Sequence, residues 1–135
     1  MGNWYSKNSL HLIKKQADIT LVAFCDYNKE LRERNGFSRK EVLICIKDEI
    51  ALIKANINND DITDLDKEIL KKHVKWLNSI SDEIFNFNNV NKIAFADKLK
   101  YEIDILKEFC HNLEKRLHPK YANTPKYSNF LKKYF

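Results

Sequence analysis

The chain is 135 residues long and has 24 lysines and arginines against 19 aspartates and glutamates, a formal net charge of +5. This length predicts one domain with an ordinary hydrophobic core. Only two glycines and two prolines are present, and Gly36 is the one that lies away from both ends. Phosphate-binding P-loops, dinucleotide-binding turns and nucleophile elbows need glycine at a tight turn. The composition therefore excludes the enzymes that depend on these three motifs.

The first two predicted helices meet at that glycine. Apolar and small side chains recur every three or four residues over residues 9–34, which predicts an amphipathic helix. Asn35 and Gly36 then provide the left-handed stop that helix C-termini favour. Ser38 with Glu41 forms a capping box for the second helix. Because short loops force neighbouring helices to pack antiparallel, this junction predicts a helical hairpin.

The third and fourth predicted helices are separated by an asparagine-rich loop, residues 86–91. The third helix begins near Thr63. Asp64, Asp66 and Glu68 lie in its first turn, where carboxylates interact favourably with the helix dipole. The fourth helix has an uninterrupted three-four repeat that extends over three heptads, as in a coiled-coil seam.

The apolar periodicity predicts an all-α fold, because no segment alternates with period two between turn residues. We expect an antiparallel up-down-up-down four-helix bundle over residues 1–118 and a basic-aromatic C-terminal tail over residues 119–135. The predicted buried stripes are Leu10, Ile13, Ala17, Thr20, Phe24, Tyr27 and Leu31; Val42, Ile46, Ile50, Ile53 and Ile57; Leu65, Ile69, His73, Trp76, Ile80 and Ile84; and Ala96, Leu99, Ile103, Leu106, Cys110, Leu113 and Leu117. Further apolar residues outside the stripes leave a homo-oligomeric or partner interface open; these are Ile19, Val22, Leu43 and Leu52.

The positive charge is concentrated at the C-terminal end. Residues 115–135 contain six basic residues and no acidic one, whereas the preceding 114 residues contain 18 basic and 19 acidic residues. A short repeat interleaves lysine and tyrosine at residues 119–123 and 125–129. Lysines release counterions from phosphates and tyrosines stack on unpaired bases, so the segment predicts binding to RNA or single-stranded DNA. The candidate contacts are Lys115, Arg116, Lys120, Tyr121, Lys126, Tyr127, Lys132 and Lys133.

Two other interpretations of this tail stay open. Its aromatic residues would also serve as a strap that packs on the bundle while the lysines face water. Alternatively, the lysines would contact an anionic membrane surface. Gly2 and Ser6 fit the short pattern for N-myristoylation, and a basic segment is the second signal that one acyl chain needs for stable anchoring.

Residues that could form a catalytic or metal site are few. Glu108 and His111 form one Glu-x-x-His pair, but a di-iron bundle needs two such pairs and the sequence contains no second. His73 lies on an apolar stripe, which favours a neutral, hydrogen-bonded core imidazole over a catalytic one. We therefore expect no catalytic residue, no metal and no cofactor.

The three cysteines and the hydropathy pattern indicate the compartment. Cys25, Cys45 and Cys110 are odd in number and lie in apolar helical stretches, which is typical of reduced, buried thiols in a cytoplasmic protein. The apolar runs are shorter than the ~20 residues that a transmembrane helix needs, and no leader peptide precedes them. The sequence predicts a cytoplasmic protein without a transmembrane segment.

The order of the helices resembles a known family. Tyr27 and Leu31 close the first helix, Asn35-Gly36-Phe37-Ser38 opens the second, and Ile53-Lys54-Ala55-Asn56 ends it. Over about residues 19–117 this arrangement is similar to the accessory variability proteins of diversity-generating retroelements and to the 23S rRNA intervening-sequence proteins. Those are basic four-helix bundles. The resemblance implies a non-catalytic, oligomeric partner of a reverse transcriptase and its RNA.

The sequence thus favours a non-enzymatic helical bundle that binds nucleic acid or a ribonucleoprotein through residues 115–135. The alternative is a protein-interaction module, such as an adaptor, an inhibitor or an immunity-type factor, that acts through an apolar face of the bundle. A third interpretation is a membrane-surface protein acylated at Gly2.

Overall fold

The computed structural model describes residues 8–33 and 38–118, which form four α-helices and no strand. The helices are α1 (Asn8–Glu33), α2 (Ser38–Asn56), α3 (Asp64–Asn86) and α4 (Lys92–Leu117). Helix α1 packs against α2 and α4, and α2 packs against α3. The predicted all-α four-helix bundle is confirmed.

Helices α1 and α4 bury the faces that their periodicity predicts. All seven predicted positions of α1 are buried, and so are the first six of α4, while Leu117 at its end is half-buried. A large aliphatic or aromatic side chain that is fully buried contributes about 1.5–3 kcal/mol. These two helices therefore provide most of the continuous apolar seam.

Helix α3 is rotated relative to the prediction, which was wrong at its N-terminal half. Leu65 is 60% exposed and Ile69 is half-buried, whereas Leu70 and Leu77 are fully buried. Two overlapping apolar stripes run along this helix, and the sequence offers no way to choose between them. The structure selects the stripe in which Asp66 turns inward, because a basic partner on α4 compensates its buried charge.

The second predicted stripe differs from the structure at two positions. Val42, Ile46 and Ile53 are buried as predicted. Ile50 of α2 and Ile57, just after the end of the helix, are half-buried instead. A carboxylate, Glu49, is fully buried next to Ile50 in the sequence. The inner face of α2 is therefore less apolar than its isoleucines suggest.

Polar side chains in the connections hold the helix ends together. Helix α3 begins next to Thr63, near the predicted start, and Thr63 is its N-cap, because its hydroxyl accepts a hydrogen bond from the Asp66 backbone N–H at 3.1 Å. Asp61, in the same connection, contacts the start of α1, where its Oδ2 accepts a hydrogen bond from the Ser9 backbone N–H at 2.8 Å. In the next connection, Asn89 and Asn91 adopt positive φ angles of 67° and 57°. Asparagine tolerates this left-handed conformation, so the chain turns there without glycine.

The start of α2 differs from the predicted capping box. The Ser38 backbone N–H donates to Glu30 Oε2 at 2.6 Å, so Glu30 of α1 takes the role expected of Glu41. The predicted helix stop at Asn35 and Gly36 lies outside the described residues. The α1–α2 junction is thus held by a carboxylate of the preceding helix.

None of the four helices contains an apolar stretch that would cross a bilayer. This finding applies to residues 8–33 and 38–118 and agrees with the predicted lack of a transmembrane segment there.

Candidate functional site

Two of the eight predicted nucleic-acid contacts lie in the described part of the chain, in the last turn of α4. Lys115 is exposed and Arg116 is half-buried. The other six are outside the described residues: Lys120, Tyr121, Lys126, Tyr127, Lys132 and Lys133. The predicted strap and the acylation site at Gly2 lie there too.

Arg116 has a structural partner. Its Nε lies 2.5 Å from Oδ1 of Asp66, whose carboxylate is 3% exposed. This ion pair joins the C-terminus of α4 to the first turn of α3. A buried carboxylate that loses the charge of its ion-pair partner is strongly destabilising. An anion that recruits Arg116 therefore competes with the packing of the bundle, whereas one that contacts Lys115 does not.

A buried pair of polar side chains connects α2 to α3. Nε2 of His73 contacts Oε2 of Glu49, and both residues are buried. The His73 ring stacks on Phe109 of α4 with centroids 3.5 Å apart, and it also stacks with Trp76, whose ring centroid is 5.5 Å away. His73 is thus a hydrogen-bonded core residue, as its place on the apolar stripe predicted.

A second polar group lies where α1 meets α4. Lys14 Nζ is 2.5 Å from Asp18 Oδ2 and 3.2 Å from Glu114 Oε2. Burial lowers the pKa of Lys14, but its hydrogen bond to Asp18 and the two carboxylate charges outweigh that effect and raise it. Burial also raises the pKa of Asp18 despite the nearby ammonium. Lys14, Asp18 and Glu114 therefore form a cluster of compensating charges in which Lys14 stays protonated.

The three thiols are free but not activated. Burial raises the pKa of Cys110, and the charges of Asp18 and Glu49 raise it further. Burial and then Asp26 raise the pKa of Cys25 to about 11, and burial raises that of Cys45. Nucleophilic cysteines need a lowered pKa, so none of the three is suited to catalysis. The expectation that all three are buried was wrong, because only Cys110 is.

The described residues contain no group of three or more histidine, cysteine or acidic side chains placed to hold a metal ion. Glu108 of the Glu-x-x-His pair is exposed on α4, and His111 is half-buried.

A groove of about 690 Å³ lies between α2 and α3, and the sequence did not predict it. Two large apolar side chains are exposed beside it, Ile44 at 47% and Phe85 at 71%. Neither belongs to a predicted stripe. An apolar residue outside the predicted stripes is a sequence signal for such an exposed surface. Leu43, which also lines the groove, is one of the apolar residues that the sequence places outside the stripes.

Comparison with protein-family models, curated proteins and solved structures finds no match for this chain.

Proposed function

We propose that this chain is a non-enzymatic helical-bundle protein that binds a nucleic acid or a ribonucleoprotein through residues 115–135. The observation that carries the proposal is the segregation of charge. Residues 115–135 contain six basic residues and no acidic one, while the rest of the chain is close to neutral. A cationic segment that interleaves aromatic rings has the two chemistries needed for an unpaired polynucleotide.

The surface of α4 next to this segment supports the same proposal. Lys115 is exposed and forms no ion pair with a described residue, so its ammonium is available to a phosphate. Arg116 is held by Asp66 and contributes to the fold more than to the contact. The binding segment then begins at Lys115 and continues through the four lysines beyond it.

The test compares full-length variants of equal charge. The first variant replaces Lys120, Lys126, Lys132 and Lys133 with glutamine. The matched control replaces four exposed lysines of the bundle with glutamine: Lys15, Lys29, Lys72 and Lys100. Binding of a fluorescent single-stranded RNA and a single-stranded DNA is measured by anisotropy over a salt series.

In the plot of log binding constant against log salt concentration, we expect the slope of the first variant to be smaller in magnitude by about 3. Each phosphate contact to a single strand contributes about 0.7, and four contacts are removed. The control retains the wild-type slope. Replacing Tyr121 or Tyr127 with alanine weakens binding by about 1–3 kcal/mol if bases stack there. Equal slopes for the two glutamine variants would show that the segment is not the contact, and binding to anionic vesicles alone would favour the membrane interpretation.

A further inference from the structure

The groove between α2 and α3 is long and has an aliphatic floor. Leu43, Ile46 and Ile50 of α2 line it, and they lie at the three-four spacing of one helix face. The lining residues of α2 extend from Arg39 to Ile50, which is about 17 Å at 1.5 Å per residue. This length matches three turns of a helix laid along the groove.

The exposed apolar surface beside the floor has no cover among residues 8–33 and 38–118. Ile44 on the α2 side is 47% exposed, and Phe85 on the α3 side is 71% exposed. Both line the groove. Contiguous exposed apolar surface with a polar rim marks a site of interaction more often than isolated exposed residues do.

The two rims of the groove differ in charge. On α2, Lys40 and Lys47 line the groove, and Lys54 continues the row, since residues seven apart share a helix face. All three are exposed, and none forms an ion pair within the described parts of the chain. On α3 the rim is formed by polar residues and one carboxylate: Asn78, Ser81 and Asp82.

The groove is also held in shape by a clamp at one end. The Arg39 guanidinium donates to the carbonyl oxygen of Ile84 from Nε at 2.9 Å and from Nη2 at 2.7 Å. Nη2 also lies 3.0 Å from the carbonyl oxygen of Phe85, and it contacts that of Phe87. These contacts tie the last turn of α3 to the first turn of α2. A surface fixed in this way binds without a large cost of ordering.

We propose that this groove binds an acidic amphipathic helix of a protein partner. Apolar side chains at positions i, i+4 and i+7 of that helix fill the floor beside Ile44 and Phe85. Glutamates or aspartates along one flank face the lysine row of α2. The opposite flank is neutral or basic where it passes Asp82.

The charge pattern disfavours three other occupants, which are a second copy of the chain, its own residues 115–135 and a polynucleotide. In a symmetric dimer the same patch meets itself, which would place the lysine rows of two copies in one interface. The segment 115–135 is itself basic and contains no acid, so it is repelled by the same row. A polynucleotide gains little from an aliphatic floor, and Asp82 repels its phosphates.

The test uses the full-length protein and three synthetic 15-residue helical peptides. Peptide A has leucines at i, i+4, i+7 and i+11 with glutamates on one flank. Peptide B has lysines in place of those glutamates, and peptide C has the composition of A with the leucine spacing scrambled. Affinity is measured by calorimetry, and the isoleucine methyl resonances of the protein are followed by NMR.

We expect peptide A to bind at least about tenfold more tightly than B or C, with the largest methyl shifts at Ile44, Ile46 and Ile50. The variant Lys40→Glu/Lys47→Glu reverses the preference between A and B. The control Lys72→Glu/Lys100→Glu, on exposed positions outside the groove, retains it. Phe85→Ala weakens peptide A about tenfold and leaves the fold intact, because this ring is mostly exposed.

Equal affinity for A and C, an unchanged preference in Lys40→Glu/Lys47→Glu, or methyl shifts remote from the groove would overturn the proposal. Displacement of peptide A by single-stranded RNA would also overturn it, since a polyanion would then occupy the groove. The outcome is separable from the proposed nucleic-acid function. The four-glutamine variant of the tail retains peptide A, and the groove variant retains RNA.

Discussion

The two faces of α2 depart from the usual pattern of apolar interior and polar surface in opposite directions. Its inner face buries a carboxylate, Glu49, which contacts His73. Its outer face exposes Ile44 above a groove that no described residue covers. One oxygen of the buried carboxylate, Oε2, has a partner within the bundle, whereas no described residue covers the exposed isoleucine.

This difference assigns separate roles to the two faces. A buried polar pair with aromatic neighbours restricts the ways in which α2, α3 and α4 pack together, because any shift leaves Glu49 without its partner. An exposed apolar groove adds nothing comparable to the fold. Changes to the inner face should therefore affect stability, and changes to the outer face should affect binding.

The largest expected effect is on the inner face. His73→Leu leaves the Glu49 carboxylate buried without its partner, and we expect the free energy of unfolding to fall by about 3–5 kcal/mol. The double variant Glu49→Leu/His73→Leu removes the unpaired charge and recovers most of the loss. Urea unfolding followed by circular dichroism measures both. A single variant within about 1 kcal/mol of the wild type would mean that water solvates Glu49 there, and would break the comparison.

The cysteines give a chemical test of the same contrast. Cys110 lies on the inner side, fully buried beside Asp18, whereas Cys45 is half-exposed on α2. At pH 8 we expect iodoacetamide to modify Cys110 at least about 100-fold more slowly than Cys45, since modification of a buried thiol requires opening of the bundle.

The modification rate of Cys25 as a function of pH gives a further test. With a pKa of about 11, its thiol is almost entirely protonated at pH 8. Its modification rate therefore rises about tenfold per pH unit from pH 8 to pH 10, without the plateau that an ordinary thiol shows near pH 9. Peptide mass mapping at each pH measures the extent of modification of all three cysteines in one sample. A plateau below pH 10 would contradict the burial of Cys25.

The smallest expected effect is on the outer face. Ile44→Gln and Phe85→Gln each change the free energy of unfolding by less than about 0.5 kcal/mol, because these side chains already contact water. The same urea measurement checks this, with Ile46→Gln as the buried control from the same helix. If Ile44→Gln destabilised the protein as much as Ile46→Gln, the groove would be part of the core and not a binding surface.

The elements with one unambiguous stripe were predictable from the sequence. In α1 and α4 a single three-four repeat exists, so only one rotation of each helix buries its apolar residues. The cap at Thr63 was predictable because a hydroxyl before an acidic first turn satisfies an unpaired backbone donor locally. Charge alone identified Lys115 and Arg116 as candidate contacts. It did not predict that Lys115 is exposed while Arg116 pairs with Asp66.

The features that the sequence did not reveal depend on partners distant in the chain. The inward turn of Asp66 depends on Arg116, fifty residues later, and the start of α2 depends on Glu30 of α1. The asparagines at positions 89 and 91 provide the positive φ angles of a turn without glycine, which their place in a polar loop did not reveal. Local sequence patterns do not predict contacts between residues so far apart in the chain.

The sequence alone was sufficient to predict four helices over residues 8–33 and 38–118, the buried faces of α1 and α4, and the net positive charge after residue 114. These properties follow from periodicity, helix-capping chemistry and composition, which are local. The tertiary structure decided the rotation of α3, the burial of Glu49 with His73, and the groove between α2 and α3. Each of these depends on which side chains of different helices meet, and only packing in three dimensions determines that.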